Sequence, residues 1–359
     1  VIVPDNPALR LTGSFTLQAW IASTTPQKGV QGIITKWSDT NQRGYALVVE
    51  EDGSLGLWIG DDNGQQARVK TDTPLRPALT SATYLFTMYG EIPVSQGSPT
   101  TTWYFVAASY DASSGSVTLY QEPVTTWPVE DARAVVERKV PLTSVGTSDD
   151  PLLMAAFWSW RDESTAIAGG HFNGKIDRPR VFNRALSQQE IESLRQGGTP
   201  TGAVGDWDFS ADISSRRVTD RSPNGLTGET FNMPTRGMTG YNWTAREMRF
   251  QNAPEEYGAL YFHDDDLDDA RWDVDFEFTL PDDFPSGIYA ARLRAGNRED
   301  RITFFVRPRR GTATAKIAFL APTFSYLAYS NGRSGVPELY SLYAAHSDGS
   351  GVSKSVPRT

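Results

Sequence analysis

Short stretches of alternating apolar and polar residues run through the first 200 positions and predict β-strands. In residues 15–21 every second side chain is apolar, as expected of a strand with one buried face. Asp52-Gly53 separates two such stretches, and this dipeptide favours a tight hairpin turn. The other predicted strands cover residues 33–34, 45–49, 55–59, 103–108, 117–119 and 152–158. Short strands at this spacing predict an antiparallel sandwich.

A single helix is predicted after these strands. Ser187 is a good N-cap, Glu190 completes a capping box, and Gly197-Gly198 ends the helix. Residues 201–250 contain few apolar side chains, and they are interpreted as one strand, 204–209, followed by a long connection. Strands at 259–262, 272–280, 287–293 and 301–306 predict a small second β domain. The apolar run 316–320 is typical of a buried parallel strand.

Composition and charge narrow the function classes. The 359 residues predict two or three domains, and a formal net charge of −9 argues against nucleic-acid binding and a polybasic membrane anchor. No apolar run reaches the roughly 18 residues of a membrane span. The lack of cysteine excludes disulfides and cysteine nucleophiles and is compatible with the cytoplasm, where we expect the protein. Because the sequence starts at Val1 and stops at Thr359 after a polar stretch, we expect it to be a piece of a longer protein.

Two sets of motifs carry resemblances to known families. The first resembles laminin-G/concanavalin-like jelly rolls, through residues 13–21, residues 103–110, Phe172-Asn173-Gly174-Lys175-Ile176-Asp177 and Val181-Phe182-Asn183-Arg184-Ala185-Leu186-Ser187. Such domains bind sugars or proteins, or serve as scaffold. The second set, in this order, is Asp206-Trp207-Asp208-Phe209-Ser210, Pro234-Thr235-Arg236, His263-Asp264-Asp265-Asp266-Leu267, Pro285-Ser286-Gly287-Ile288-Tyr289-Ala290, Phe304-Phe305-Val306-Arg307-Pro308, Ser325-Tyr326-Leu327-Ala328-Tyr329-Ser330-Asn331 and His346-Ser347-Asp348-Gly349-Ser350-Gly351.

The second set resembles the large subunit of N,N-dimethylformamidase. This resemblance implies a mainly β chain with a jelly roll and its linker in residues 1–235, a small β-sandwich in 236–312, and the start of an α/β catalytic domain in 313–359. It also implies a mononuclear ferric ion held by two tyrosines and one glutamate. The partners it implies are a small helical subunit and further large subunits, which form a hetero-oligomer.

The resemblance implies that the two phenolate ligands are Tyr329 and Tyr343, with Tyr326 and Tyr340 as alternatives. A carboxylate ligand is expected beyond Thr359. Oxygen-only ligands suit a hard trivalent ion, whereas a tyrosine without such a context is usually a packed core or interface residue.

The predicted function is hydrolysis of N,N-dimethylformamide, or a similar small formamide, to dimethylamine and formate. A Lewis-acid metal can activate the water and polarise the amide carbonyl. The alternative is a lectin-like module that binds a glycan or a protein and has no catalytic activity.

Four other sites have simpler interpretations. His263 and the aspartates after it could bind a cation, but a solvated turn is the favoured reading. Asp61-Asp62-Asn63-Gly64 is read as a hairpin turn rather than a calcium loop. Trp20, Trp58 and Trp103 fall within strands, so we expect packing rather than sugar stacking. His346 beside Ser347 and Asp348 is sequence adjacency, not the geometry of a catalytic triad.

Overall fold

The described part of the chain is mainly β and divides into two units. The structure, a computed structural model, describes residues 1–77, 103–124, 132–161, 166–264 and 273–329. The first unit is Val1–Asp268 and the second is Asp269–Thr359. The predicted fold class, a mainly β chain with an antiparallel sandwich, is confirmed by the strands described below. Among the described residues, none of the helices combines the length and the apolarity that a membrane crossing requires.

The first unit is built on one long antiparallel sheet path. Its strand order is β6-β5-β4-β3-β10-β1-β16-β15-β14-β13-β2-β7-β8-β9, and β18 pairs with both β13 and β17. A separate hairpin joins β11 to β12. The strands are β1 (Ile2–Val3), β2 (Phe15–Ser23), β3 (Gln31–Trp37), β4 (Gly44–Val49), β5 (Ser54–Gly60), β6 (Gln66–Pro74), β7 (Tyr104–Asp111), β8 (Ser116–Pro123), β9 (Ala134–Lys139), β10 (Leu152–Met154), β11 (Phe157–Arg161), β12 (Ala166–Gly169), β13 (Gly174–Phe182), β14 (Ala203–Asp208), β15 (Arg217–Asp220), β16 (Gly228–Glu229), β17 (Thr235–Met238) and β18 (Ala259–Phe262).

Strand β2 is buried on both faces, which differs from the single buried face that its pattern predicts. Phe15 and Leu17 belong to the main core, which the inward residues of the two layers fill. Trp20 and Ala22 point the other way, into a second apolar cluster. That cluster also contains Ile191 and side chains from the segment that follows β17. The outer face of β2 is therefore covered by later parts of the chain.

The predicted helix is present and has the predicted cap. Helix α1 (Gln188–Arg195) begins after Ser187, whose hydroxyl accepts the Glu190 N–H at 3.3 Å. The Glu190 carboxylate accepts the Ser187 N–H at 2.9 Å, which completes the capping box. Ile191 and Leu194 are buried on its inner face. Two satisfied N-terminal donors and two buried side chains fix this short helix on the outer face of the sheet.

Residues 201–262 are more ordered than the sequence predicts. β15, β16 and β17 lie where a long connection was expected, and β18 pairs with β13 over Gly174 to Ile176. Residues 235–262 therefore lie in the first unit, whereas the predicted boundary assigned 236 onward to the second β domain. The difference arises because β15–β17 are two to four residues long and mostly polar, so they show no period-2 pattern.

Arg236 is the main tie between β17 and the loop before β15. Its guanidinium donates to four backbone carbonyl oxygens, those of Phe209 (3.1 Å), Ala211 (2.8 Å), Ser215 (2.8 Å) and Arg217 (2.6 Å). The planar fork of arginine suits several acceptors at once. Burial lowers the pKa of Arg236. One side chain thus connects β17 to residues 209–217, although its Nε is buried without a hydrogen-bond partner among the described residues.

The second unit contains one hairpin and one helix. β19 (Gly287–Ala295) and β20 (Arg298–Val306) pair along their whole length around Gly296, which adopts a left-handed conformation (φ 61°). Residues 273–280 form no strand. The strand predicted at 316–320 is also wrong. These residues are exposed, and they pair with no strand among the described residues. Helix α2 (Thr323–Tyr329) follows, and the predicted α/β domain from 313 onward stays a prediction.

The carbonyl contacts of Arg236 give a stability prediction. Arg236→Ala is expected to lower the free energy of unfolding by about 2 kcal/mol, because four backbone carbonyls, two of them in part-buried hydrogen bonds, lose a charged donor. Arg236→Lys should lose about half as much, since an ammonium reaches fewer acceptors. Urea unfolding monitored by tryptophan fluorescence measures both. Arg246→Ala, an exposed arginine nearby, should change stability by less than about 0.5 kcal/mol. Equal losses for Arg236→Ala and Arg246→Ala would contradict the assignment.

Candidate functional site

The predicted tyrosine ligands lie at and beyond the end of the described chain. Tyr326 is in α2, is 48% exposed, and its ring stacks on Phe305 with centroids 6.0 Å apart. Tyr329 is the last residue of the same helix, one turn later. The side chain of Tyr329, and all of Tyr340 and Tyr343, lie outside the described residues. The ligand assignment therefore stays a prediction.

The Asp264 carboxylate forms an ion pair with a lysine side chain, which takes the place of a bound cation. Its carboxylate pairs with Lys28 at 2.5 Å, and its N–H donates to the Asn173 side chain at 3.0 Å. Burial alone would raise the pKa of Asp264, but the hydrogen bonds with Lys28 and Asn173 and the charges of Lys28 and His171 together outweigh it and lower the pKa. His263 packs against the Tyr261 ring at 5.1 Å. Asp265 and Asp266 lie outside the described residues, and the described ranges contain no cluster of three metal-ligating side chains.

The loop at Asp61 is a self-capped hairpin turn. It joins β5 to β6, and the Asp61 carboxylate accepts the N–H groups of Asn63 (2.9 Å) and Gln65 (2.8 Å). An aspartate that caps its own turn in this way is a common turn device. The hairpin interpretation is confirmed.

The three tryptophans considered for sugar stacking are packed inside the protein. Trp20, Trp58 and Trp103 are 1%, 3% and 7% exposed. Trp20 stacks on Tyr241 at 4.0 Å, and the Arg68 guanidinium lies 3.9 Å from the centre of the Trp58 ring. The predicted packing is confirmed, and these rings present no face to a glycan.

A buried polar centre on β13 was missed by the sequence interpretation. Asp177 and Arg180 flank a bulge in this strand, with Arg178 at φ 43° between them. Arg180 donates to the Asp206 carboxylate at 2.8 Å, and its register partner on β2 is Gln18. Burial raises the pKa of Asp177 to about 7. An ionisable group in this setting is a candidate for binding or proton uptake.

Several side-chain atoms of this centre are buried without a hydrogen-bond partner among the described residues. By distance and angle they are both carboxylate oxygens of Asp177, the side-chain oxygen of Asn242, both amide atoms of Gln18 and Nη1 of Arg180. The backbone N–H groups of Tyr241 and Arg178 still act on the Asp177 carboxylate and lower its pKa against the larger effect of burial. Unpaired buried groups are uncommon in folded proteins and are usually satisfied by ordered water or an ion. The available sequence signal was an aspartate directly after Ile176, at the end of the string Phe172–Asp177 that carries the fold resemblance.

These features define the class of protein as an antiparallel β-sandwich with a second β unit. Residues 235–359 match the family described as N,N-dimethylformamidase beta subunit-like, C-terminal. The chain is 40% identical to the N,N-dimethylformamidase beta subunit of Paracoccus aminophilus and 37% identical to that of an Alcaligenes species, each over 92% of this chain. The chain thus belongs to the N,N-dimethylformamidase beta-subunit family, and it spans 42% of the length of these two relatives.

Solved structures resemble the chain only in fold. A putative carbohydrate binding protein from Bacteroides ovatus is 16% identical, with 65% of this chain and 58% of that chain covered and a TM-score of 0.40. The CBM40 domain of the Ruminococcus gnavus IT-sialidase is 15% identical, with 54% and 85% covered and a TM-score of 0.32. Likeness at this level carries no argument about function.

The buried carboxyl of Asp177 gives a pH prediction. Its pKa is about 7 in the folded protein against a reference of 3.8, so only well below pH 3.8 is the group protonated in both states, where it costs nothing. As the pH rises from 4 to 7 the unfolded chain releases the proton first, and the free energy of unfolding falls by about 3 kcal/mol or less. Asp177→Asn should lack this fall. Urea unfolding across pH 4.5–8 with a chelator present measures it.

Asp52→Asn is the matched control. The hydrogen bond from Lys70 lowers the pKa of Asp52 to about 2, so this group stays ionised throughout the window. The stability difference between Asp52→Asn and the parent protein should therefore be flat from pH 4.5 to 7. If the stability difference between Asp177→Asn and the parent protein is also independent of pH, the raised pKa of Asp177 is contradicted.

Proposed function

We propose that this chain is part of the large subunit of an amide hydrolase that cleaves N,N-dimethylformamide, or a similar small formamide, to dimethylamine and formate. The observation that carries the proposal is the 40% identity to the Paracoccus aminophilus beta subunit across 92% of the chain. The first unit serves as scaffold, because the clusters that sequence analysis singled out there are packed tryptophans, a capped turn and a lysine–aspartate pair.

The proposed cofactor is a mononuclear ferric ion bound by Tyr329 and Tyr343, with a carboxylate from beyond Thr359. Tyr326 and Tyr340 are the alternatives. The residues fit in donor chemistry, since phenolate and carboxylate oxygens suit a hard trivalent ion. The position of Tyr326 and Tyr329 three residues apart in α2 supports taking one ligand from this helix.

When bound, such an ion supplies Lewis-acid polarisation of the formyl carbonyl and a more acidic water. The contribution of this chain is to hold two phenol oxygens as deprotonated ligands, whose negative charge the ion compensates. The proposed partners are a small helical subunit and further large subunits, as the name "beta subunit" of both relatives suggests for those proteins. The proposed location is the cytoplasm.

Tyrosine-to-phenylalanine substitutions test the ligand assignment in the full-length subunit assembled with its partner. Tyr329→Phe and Tyr343→Phe should each lower bound iron and formate release from N,N-dimethylformamide at least about 100-fold, because even outer-shell changes cost 10- to 100-fold. Each should also weaken the visible tyrosinate-to-iron absorption band. Metal analysis, a formate assay and absorption spectra make these measurements.

Tyr289→Phe is the control, because the Tyr289 hydroxyl donates to the Pro285 carbonyl at 2.9 Å in the hairpin unit. It should retain iron and activity. Loss of iron in Tyr326→Phe or Tyr340→Phe, with Tyr329→Phe or Tyr343→Phe unaffected, would move the assignment to the alternatives. An assembled protein that binds a glycan, holds no iron and releases no formate would favour the lectin-like module instead.

A further inference from the structure

Residues 239–258, here called the covering segment, lie against Asp177 on the outer face of the sheet. Asp177 is opposite Trp20 in the register of β13 with β2, and the Tyr241 ring stacks on Trp20 at 4.0 Å. The backbone N–H of Tyr241 also acts on the Asp177 carboxylate. Asp177 is 1% exposed, so its carboxylate reaches water only when the covering segment moves away.

Two buried acceptor oxygens, one from β13 and one from the covering segment, approach each other beside Gly240. The side-chain amide of Asn242 donates to the Glu255 carbonyl at 3.1 Å, which fixes the orientation of this amide. A methyl group placed on Gly240 would lie 2.5 Å from Oδ2 of Asp177 and 2.9 Å from Oδ1 of Asn242. That point is within bonding distance of the Gly240 Cα, so neither an ion nor a water fits there, whereas a proton needs no such space.

A carboxyl group that keeps its proton turns this approach into a hydrogen bond. Ionised Asp177 and the Asn242 oxygen are both acceptors, whereas a protonated carboxyl has one O–H donor. The backbone N–H groups of Tyr241 and Arg178 act on the Asp177 carboxylate itself and leave the Asn242 oxygen without a partner among the described residues. The O–H of a neutral Asp177 supplies the donor that the Asn242 oxygen lacks.

The charged groups around Asp177 leave the balance with the neutral acid. Burial is the largest effect and raises the pKa of Asp177 to about 7, and the negative charge of Asp208 adds to it, while the charge of Arg178 and the two N–H groups oppose it. Burial also raises the pKa of the Tyr241 hydroxyl, which stays neutral. The remaining charged groups nearby have other hydrogen-bond partners: Lys175 with Thr239, Arg180 with Asp206, and Glu256 with Thr244.

We propose that Asp177 holds a proton that it shares with the Asn242 side-chain oxygen, and that release of this proton to water loosens the covering segment from β13. The closed segment holds the neutral acid, whereas an open segment exposes the carboxyl group to water and favours the anion. Closure therefore binds a proton, and its free energy weakens as the pH rises toward 7 and stays constant above. Acidification from neutral pH seats the segment, as in other proton-driven switches. No iron or formamide takes part, so the device does not depend on the proposed amide hydrolysis.

Hydrogen exchange of the full-length protein between pH 5 and 8 measures the opening. After correction for the pH dependence of the exchange chemistry, the protection of peptides covering 239–258 should fall about tenfold per pH unit from 5 to 7, because opening releases one proton. It should level off above pH 7, near the pKa of Asp177. The segment opens by itself, so its protection should stay below that of peptides from β4 and β5 at each pH.

Three variants assign the proton to the two side chains. Asp177→Asn keeps a donor for the Asn242 oxygen but has no charge to gain, so protection of the covering segment should no longer follow the pH. Asn242→Ala removes the acceptor and should lower protection at pH 5 about 3- to 10-fold, the effect of one hydrogen bond. Asn252→Ala is the matched control, because this exposed amide of the same segment donates to the Glu247 carboxylate at 2.9 Å. It should behave like the parent protein.

Infrared difference spectra keep the test decisive if Asp177→Asn does not fold. Between pH 6 and 8 the parent should lose a carboxylic-acid carbonyl band, since ordinary carboxyl groups are already ionised at pH 6. The band should shift in Asn242→Ala, where the hydrogen bond is absent, and should stay in place in Asn252→Ala.

Four results would overturn the proposal. They are protection of 239–258 that ignores pH in the parent, a pH dependence that survives in Asp177→Asn, equal behaviour of Asn242→Ala and Asn252→Ala, and protection equal to that of β4 and β5. The last result would mean that the covering segment opens only when the whole unit unfolds. Failure of the amide-hydrolase proposal would leave all of these measurements unchanged.

Discussion

Burial of both faces of the central strands β2 and β13 is the constraint on which the first unit depends. One face fills the main core, and the other face is closed by α1 and by residues 235–262. A sheet with only one covered face would leave Trp20, Phe105 and Phe182 in water, at a cost of about 2 kcal/mol each. The polar stretch after residue 200 is thus part of the sandwich, although its composition resembles that of a linker.

In residues 201–262, side-chain hydrogen bonds hold the short strands in place, whereas packed apolar side chains do so in the long strands of the core. The Asp220 carboxylate accepts the N–H groups of Asp206 (2.8 Å) and Leu226 (2.6 Å), and Trp207 donates to the Leu226 carbonyl at 2.7 Å. Arg236 extends this network to the loop before β15. Such networks specify a conformation most strictly when their members are satisfied, and here Nε of Arg236 and the carboxylate of Asp177 are exceptions.

Much of the fold could be predicted from the sequence, because long strands and a capped helix carry strong local signals. Three local signals each predicted one element correctly. The alternation in residues 15–21 predicted β2, Asp52-Gly53 predicted the turn between β4 and β5, and the Ser187–Glu190 capping box predicted the start of α1. The strands at 217–238 could not be predicted, since their partners are distant in sequence and their residues polar. The run 316–320 failed for the opposite reason, because apolar character without a neighbouring strand does not specify pairing. The resemblance could suggest the tyrosine ligands, but only the packing of the chain shows that the Asp177 carboxylate is buried against Gly240 and Gly258.

The position of β17 has a consequence for where this polypeptide tolerates a cut. The family match starts at Thr235, the first residue of β17, so a gene divided there would look natural from sequence alone. Such a division would remove β18 from β13, and the backbone groups of Gly174 to Ile176 would lose their partners on β18 and become exposed. An exposed edge of this kind invites pairing with other molecules. Severed halves would thus be expected to form insoluble assemblies, whereas a break after Asp268 respects the boundary of the first unit.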